Sequence, residues 1–443
     1  MKMTFGRTTR RSVMAGSMAM GAFALSGTRH AFADVNWKAF DGTELEVMLT
    51  KGPRGETLQK YESEFTELTG IQVGSEQIPE QQQRQKAVIE LTSGSPSFDV
   101  VHLSYHVQKR QFEKAKWLAD FSAFLKNSDL TEASLVESDF SSAGLLYAKN
   151  DAGEMHSLPL SVDYWMIYYN KEIFEKKGVA YPTTFDELVK AAEALTDPDA
   201  GEYGFVARGL RNANVPVWTS FLLGYGGQMV DEQGQLRTDS PEAIEAARLY
   251  QHLMTKCGPP GIAGFNWSES QSAFLQGKVG MWMDGVGFAP PLEDPTKSRI
   301  VGKVGYGVMP KGPVAQVSAT FGDGIGVAEA SSNKEAGYLY CQWAVSKLMG
   351  TRLLQSGSGV PFRNSILNDP EVRKGVKLPA AWVDAVVESA KISQLGLPVI
   401  VPVTEFRDTF GTALTTLLAQ GDPATLLKQA TEQFKPVLEK SEA

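Results

Sequence analysis

The run LPLSVDYWMIYYN sets one carboxylate, Asp163, directly against Tyr164 and Trp165. An acid beside rings can do two kinds of chemistry. It can act with a second carboxylate across a glycosidic bond, or it can accept hydroxyl hydrogens while a ring packs on an apolar face. Burial without a partner is excluded by cost, and the run is too short and too polar to span a bilayer.

The hydrolytic reading needs a second acid held opposite the first, and no motif supplies one. There is no G-x-S-x-G elbow, no metal-protease helix signature and no P-loop. Beyond residue 33 the histidines are His102, His106, His156 and His252. His102 and His106 are spaced for a helix face, yet they straddle the end of a strand, where that spacing no longer aligns them for zinc. Neither a metal nor any other cofactor is expected.

Short strands and amphipathic helices must position these residues. ELEVMLT (44–50) alternates as a strand. Residues 55–70 place Leu58, Tyr61, Phe65 and Leu68 at helical spacing, with Gly70 as the stop. IQVGSEQI, QQQRQKAVIELTSG and FDVVHLS follow as strand, helix and strand. That order predicts a mainly parallel sheet with helices on its faces, and ligands at the carboxyl ends of its strands. Residues 51–54, Gln77, Ser104 and Tyr105 fall there. A second α/β block starts near Asp163, with Thr184 capping the helix of TTFDELVKAAEALTD and Pro241 opening that of SPEAIEAARLYQHLMTKCG. TFGDGIGVAE reads as a glycine-rich extended segment, and amphipathic helices close the chain.

At 443 residues the chain exceeds what one core usually supports, so two lobes are expected. Its first 33 residues carry paired Arg10 and Arg11, a Gly- and Ala-rich apolar run, and Ala31-Phe32-Ala33. These features match a twin-arginine export signal cleaved near Ala33/Asp34. Its removal takes five positive charges and no negative ones, moving the net charge from −8 to −13. So acidic a product is a poor partner for nucleic acid or anionic membranes. Asp34 rather than cysteine follows the cut, so no lipid anchor is signalled, and a free periplasmic protein is expected. Cys257 and Cys341 could pair or stay free.

In their order, GETLQKYESEFTELTGIQV, SFDVVHLSYH, the run from LPLSVDYW to PTTFDELVKAAEALT, AFLQGKVGMWMDG, GYGVMPKGP, FGDGIGVAEASSNKEAGYLYCQWAVS and GVPFRNSILNDPEV resemble family 1 of the extracellular solute-binding proteins of ABC importers, the maltose-binding-protein-like sugar group. The resemblance covers nearly the whole chain beyond the leader. It implies a type II periplasmic-binding-protein fold, two α/β lobes with the ligand cleft between them. The implied parts are 34–162 (lobe 1), 163–318 (lobe 2), 319–370 (lobe 1) and 371–443 (lobe 2 helices). Crossovers near 159–163 and 318–325 would act as hinges, with Gly322, Gly324 and Gly326 allowing unusual backbone angles there. The implied function is capture of a carbohydrate or polyol for ABC permease subunits by a monomer with no catalysis. The alternatives are a secreted carbohydrate-active hydrolase, or a same-fold binder of a sugar phosphate, polyamine or metal chelate.

The resemblance aligns Asp163 with a hinge acid that contacts sugar. Arg363 in GVPFRN matches a recurrent arginine facing the second crossover. Asp284 and Phe288 follow a strand where relatives place a ligand-facing amide and ring. Tyr164 and Trp165 are candidates for cleft wall or core, and Tyr168 and Tyr169 for core. Arg208, at a strand end, and Trp218 are further candidates, each with a surface or core alternative. One departure stands out: where the family has Gly-Gly-Trp-Gly, this chain has Phe321-Gly322-Asp323-Gly324. Asp323 removes a possible wall and adds a hydroxyl acceptor or a hinge ion-pair partner, which suits a small polyol or monosaccharide.

Overall fold

The computed structural model describes residues 35–443, so the expected export signal lies outside the described residues. The chain opens as β1 (Glu44–Thr50), α1 (Pro53–Thr69), β2 (Gln72–Ile78), α2 (Glu80–Ser93), β3 (Val100–Ser104) and α3 (Tyr105–Ala115). Pro53 starts α1 where its missing N–H costs no helical bond. Gly70, at φ 77°, ends α1 by returning its N–H to the Thr66 carbonyl. β1 pairs in parallel with β2 and with β3. The residues after these three strands therefore gather at one end of the sheet.

The remaining strands are β4 (Leu158–Asn170), β5 (Tyr203–Val206), β6 (Val279–Gly285), β7 (Val304–Val308), β8 (Ser318–Val327), β9 (Val360–Pro361) and β10 (Ser393–Leu395). The main path runs β2-β1-β3-β8-β4-β6-β5. The first half of β4 lies antiparallel to β8, with Asp163 opposite Phe321. Its second half pairs with β6 and β7, with Trp165 opposite Gly285 and Met166 opposite Val308. One strand thus serves two sheets and changes partners at Tyr164 and Trp165. The sheet is mixed. The parallel pairs expected from strand–helix alternation are joined by antiparallel ones, because β4 and β8 run across instead of returning through a helix.

β8 is buried along its full length. Its glycines are not there for unusual angles: Gly322, Gly324 and Gly326 all lie outside the positive-φ set. They permit close approach instead. A Cβ on Gly324 would sit 2.1 Å from the Tyr105 ring. Further along β4, Tyr168 is buried, stacks on Trp282 at 4.8 Å and donates to the Gly285 carbonyl at 2.6 Å. Tyr169 is half-buried against Phe174 and Tyr181. Cys257 and Cys341 are both free and buried. Among the described residues no helix is long and apolar enough to cross a membrane.

Candidate functional site

A cleft of about 630 Å³ opens where the ends of β1, β2 and β3 face the crossing strands. Arg54, in the first turn of α1, is its centre. One terminal nitrogen reaches the Asp163 carboxylate on β4, and the other meets Asp323 Oδ2 on β8 at 2.8 Å. Asp163 Oδ1 also accepts the Gly287 N–H at 3.1 Å. The clamp ties α1 to both crossing strands. Burial alone would lower the Arg54 pKa, but Asp163 and then Asp323 raise it above the ordinary arginine value. Burial likewise pushes Asp323 up, and Arg54, followed by His102, overrides it and holds the carboxyl well below the usual range. His102 Nδ1 accepts the Thr50 N–H at 3.4 Å, which leaves the proton on Nε2, 3.7 Å from Asp323.

A second polar group lies beside the first. Arg84 pairs with Glu80 one helical turn away and donates to Ser104 Oγ at 3.0 Å. Arg84 holds the Glu80 carboxyl at about 2 against the opposing effect of burial. His106 donates from Nδ1 to the Gly322 carbonyl at 3.2 Å, so its Nε2 accepts from Arg84 at 3.4 Å. Burial first and Arg84 second lower its pKa to about 3, which keeps the ring neutral.

Rings line the cleft next to the clamp. Trp165 and Phe321 meet at 5.4 Å, and Trp267 stacks on Phe288 at 5.0 Å and 18°. The Arg208 guanidinium lies 5.3 Å from the Trp165 ring and 5.6 Å from Phe288. It is fixed from behind by the fully buried Asp284, with Nε donating to Oδ2 at 2.9 Å. Arg407, from the helix Val403–Ala419, also lines the cleft.

Of the residues singled out from sequence, Asp163, Asp323, Ser104, Trp165, Arg208 and Phe288 line this cleft. Asp284 stands one layer back, behind Arg208. Residues 51–54, His102 and His106 line it too, and the remaining candidates sit elsewhere. Gln77 bonds Gln59 at 2.7 Å outside the cleft. Tyr105 turns to Ser157 and stacks on Tyr147 at 5.3 Å. Tyr164 is buried, one residue out of phase with Asp163 and Trp165 on the pleat. Trp218 belongs to the wholly buried helix Val215–Gly224, where it stacks on Phe410 and donates to the Ala243 carbonyl at 3.0 Å. Arg363 is buried against Asp139 at 2.7 Å and the Ser134 carbonyl at 2.6 Å. Gly322 offers its carbonyl to His106, while its Cα side meets Phe362 and Tyr147.

Sequence reasoning missed Glu80, Arg84, Trp267 and Arg407, and it flagged Arg54 only as part of 51–54. The Glu80–Arg84 spacing was a readable signal. Arg407 had none, because only tertiary folding brings its helix to the cleft. A larger hollow of about 1180 Å³ lies away from this site, between Arg110, Glu113 and Lys149 on one wall and Glu432, Lys435 and Glu439 on the other. Its charged side chains are exposed or half-buried, whereas buried polar groups converge in the smaller cleft. Among the described residues no group of three or more His, Cys, Asp or Glu could hold a metal ion.

A ligand cleft crossed by two shared strands defines a two-lobed binding-protein fold. The family described as bacterial extracellular solute-binding protein matches residues 50–347, and the chain belongs to that family. A relative from Sinorhizobium fredii, named "Probable amino-acid ABC transporter periplasmic-binding protein", is 27% identical, with 82% of this chain and 84% of the relative covered. The erythritol/L-threitol-binding protein of Mycolicibacterium smegmatis is 25% identical over 78% of this chain and 76% of its own. The crystal structure of a solute-binding protein from Agrobacterium radiobacter in complex with ribitol superposes with TM-score 0.81 at 26% identity, covering 90% of this chain and 99% of that one.

Proposed function

We propose that this chain captures a carbohydrate or polyol in the cleft by hinge closure and delivers it, chemically unchanged, to the permease subunits of an ABC importer. The observation that carries this reading is the Arg54 clamp, which joins one carboxylate from each crossing strand. Vicinal hydroxyls need adjacent donors and acceptors in fixed positions, and the clamp offers both beside ring faces. The relative named for erythritol and L-threitol and the solved structure holding ribitol support a short polyol chain. In this reading residues 34–162 and 319–370 form one lobe, residues 163–318 and 371–443 form the other, and β4 and β8 carry the hinge. The protein works as a monomer on the periplasmic side after loss of residues 1–33.

A hydrolase would need one carboxyl protonated at neutral pH to serve as acid. Asp163 and Asp323 instead share one ion-pair partner, Arg54, and do not face each other across an open gap, which favours binding over catalysis. The test is a thermal-shift screen over sugars, polyols, sugar acids and phosphates, with each hit incubated and its mass measured. A hit that raises Tm and is recovered intact supports the reading. Turnover of the hit, or binding that requires added metal, overturns it.

A further inference from the structure

We infer that the solute carries an anionic group as well as hydroxyls, and that Arg407 receives it. The inference rests on the proposed binding function and names the ligand class for that site.

Three arginines line the cleft and a fourth, Arg84, stands just behind Glu80 and Ser104; all but Arg407 have carboxylate partners. Arg54 has Asp163 and Asp323, Arg84 has Glu80, and Arg208 has Asp284. Arg407 has none within 4.0 Å among the described residues. Its one hydrogen bond runs from Nε to the Asn212 carbonyl at 3.3 Å, so both terminal nitrogens lack an acceptor there. Yet Arg407 is only 5% exposed. Asp408, its neighbour in sequence, is taken by Asn212 at 3.0 Å and faces Arg211 on the surface. Burial first, and repulsion from Arg84 second, depress its pKa to about 9, so it stays charged at pH 7.

A buried cation with an unfilled planar fork is costly unless something neutralises it. Neutral hydroxyls can accept its hydrogen bonds but cannot cancel its charge. A carboxylate or phosphate does both, and the guanidinium fork matches either in a bidentate way. The cleft is also polarised. Two carboxylates and one arginine form the clamp, whereas the rest of the lining sets Lys51, Arg208 and Arg407 against Glu56 and Glu80. A short polyhydroxylated chain with one anionic end, an aldonate or a polyol phosphate, satisfies both ends at once.

The experiment is calorimetry of the whole protein against matched probes at low salt: ribonate with ribitol, gluconate with glucitol, and ribitol 5-phosphate and glycerol 3-phosphate as the phosphate arm. At least one anionic probe should bind tenfold or more tighter than the neutral polyol of equal carbon number, and the arms tell carboxylate from phosphate. Arg407→Gln should weaken that anion at least tenfold more than it weakens the neutral polyol of equal carbon number, with partial rescue in Arg407→Lys. Apo Arg407→Gln should melt no lower than the parent, because it removes a buried charge that has no carboxylate within 4.0 Å among the described residues. If neutral polyols bind and no anion exceeds its partner tenfold, the inference falls and the polyol-binding function stands. If no probe of either kind binds, both fall. The parent-protein comparison decides the matter even if the variants fold poorly.

Discussion

Replacing Asp163 by alanine tests the clamp. Asp163 holds Arg54 from one side and the Gly287 N–H from the other, so its two oxygens are aimed before ligand arrives. A hydroxyl donating to this carboxylate makes a charge-assisted bond, worth roughly 1.5–3 kcal/mol net. At about 1.4 kcal/mol per tenfold, its loss weakens binding by about 10- to 150-fold. The fold should survive, because Arg54 keeps Asp323 at 2.8 Å, and the two donors that lose an acceptor, one Arg54 nitrogen and the Gly287 N–H, border the cleft. Asp163→Asn retains the shape and an acceptor for Gly287 but not the charge, and should cost roughly 1–2 kcal/mol of binding. Titration calorimetry on the tightest hit of the thermal-shift screen, paired with melting curves, separates affinity from stability. Affinity of Asp163→Ala within threefold of the parent refutes the assignment, and so does a loss of affinity that merely tracks unfolding.

Trp218→Phe removes a buried indole and its bond to the Ala243 carbonyl; denaturant titration should show a loss of roughly 1–3 kcal/mol, with ligand affinity changed less than twofold. Gly324→Ala drives a methyl into the Tyr105 ring and should cost roughly 1–3 kcal/mol by the same measurement. Burial pushes the Glu132 carboxyl up to about 7 against the opposing pull of Ser134 and Arg363, so its protonated form is the one the fold favours. That contribution is complete below the unfolded value near 4.5 and is lost as pH rises through 7. Glu132→Gln should therefore raise Tm at pH 8 and leave it unchanged at pH 4.

Much of the fold was legible because local patterns and tertiary structure agree. The alternation of ELEVMLT, the glycine stop after α1 and the ordered resemblance along the chain all point the same way. The candidate site was legible where a crossing strand or a strand end placed a residue, as at Asp163 on β4, Asp323 on β8 and Arg208 just after β5. It was illegible where orientation decided it. Tyr164 and Trp165 are adjacent, yet the pleat sends one to the core and the other to the cleft. Trp218 and Arg363 have the residue types of ligand contacts, but a buried helix and Asp139 claim them. Arg407 lies 244 positions from Asp163, and nothing local announces that the two share a cleft.

The central claim is capture without chemistry at the Arg54 clamp. Titration of the protein with a panel of polyols, sugars and sugar acids, read by the emission of cleft residues Trp165 and Trp267 and followed by mass measurement of the recovered solute, tests it most directly. The account predicts saturable one-to-one binding of a small polyhydroxylated solute whose mass is unchanged. A recovered product of different mass, or a panel with no binder, would contradict it.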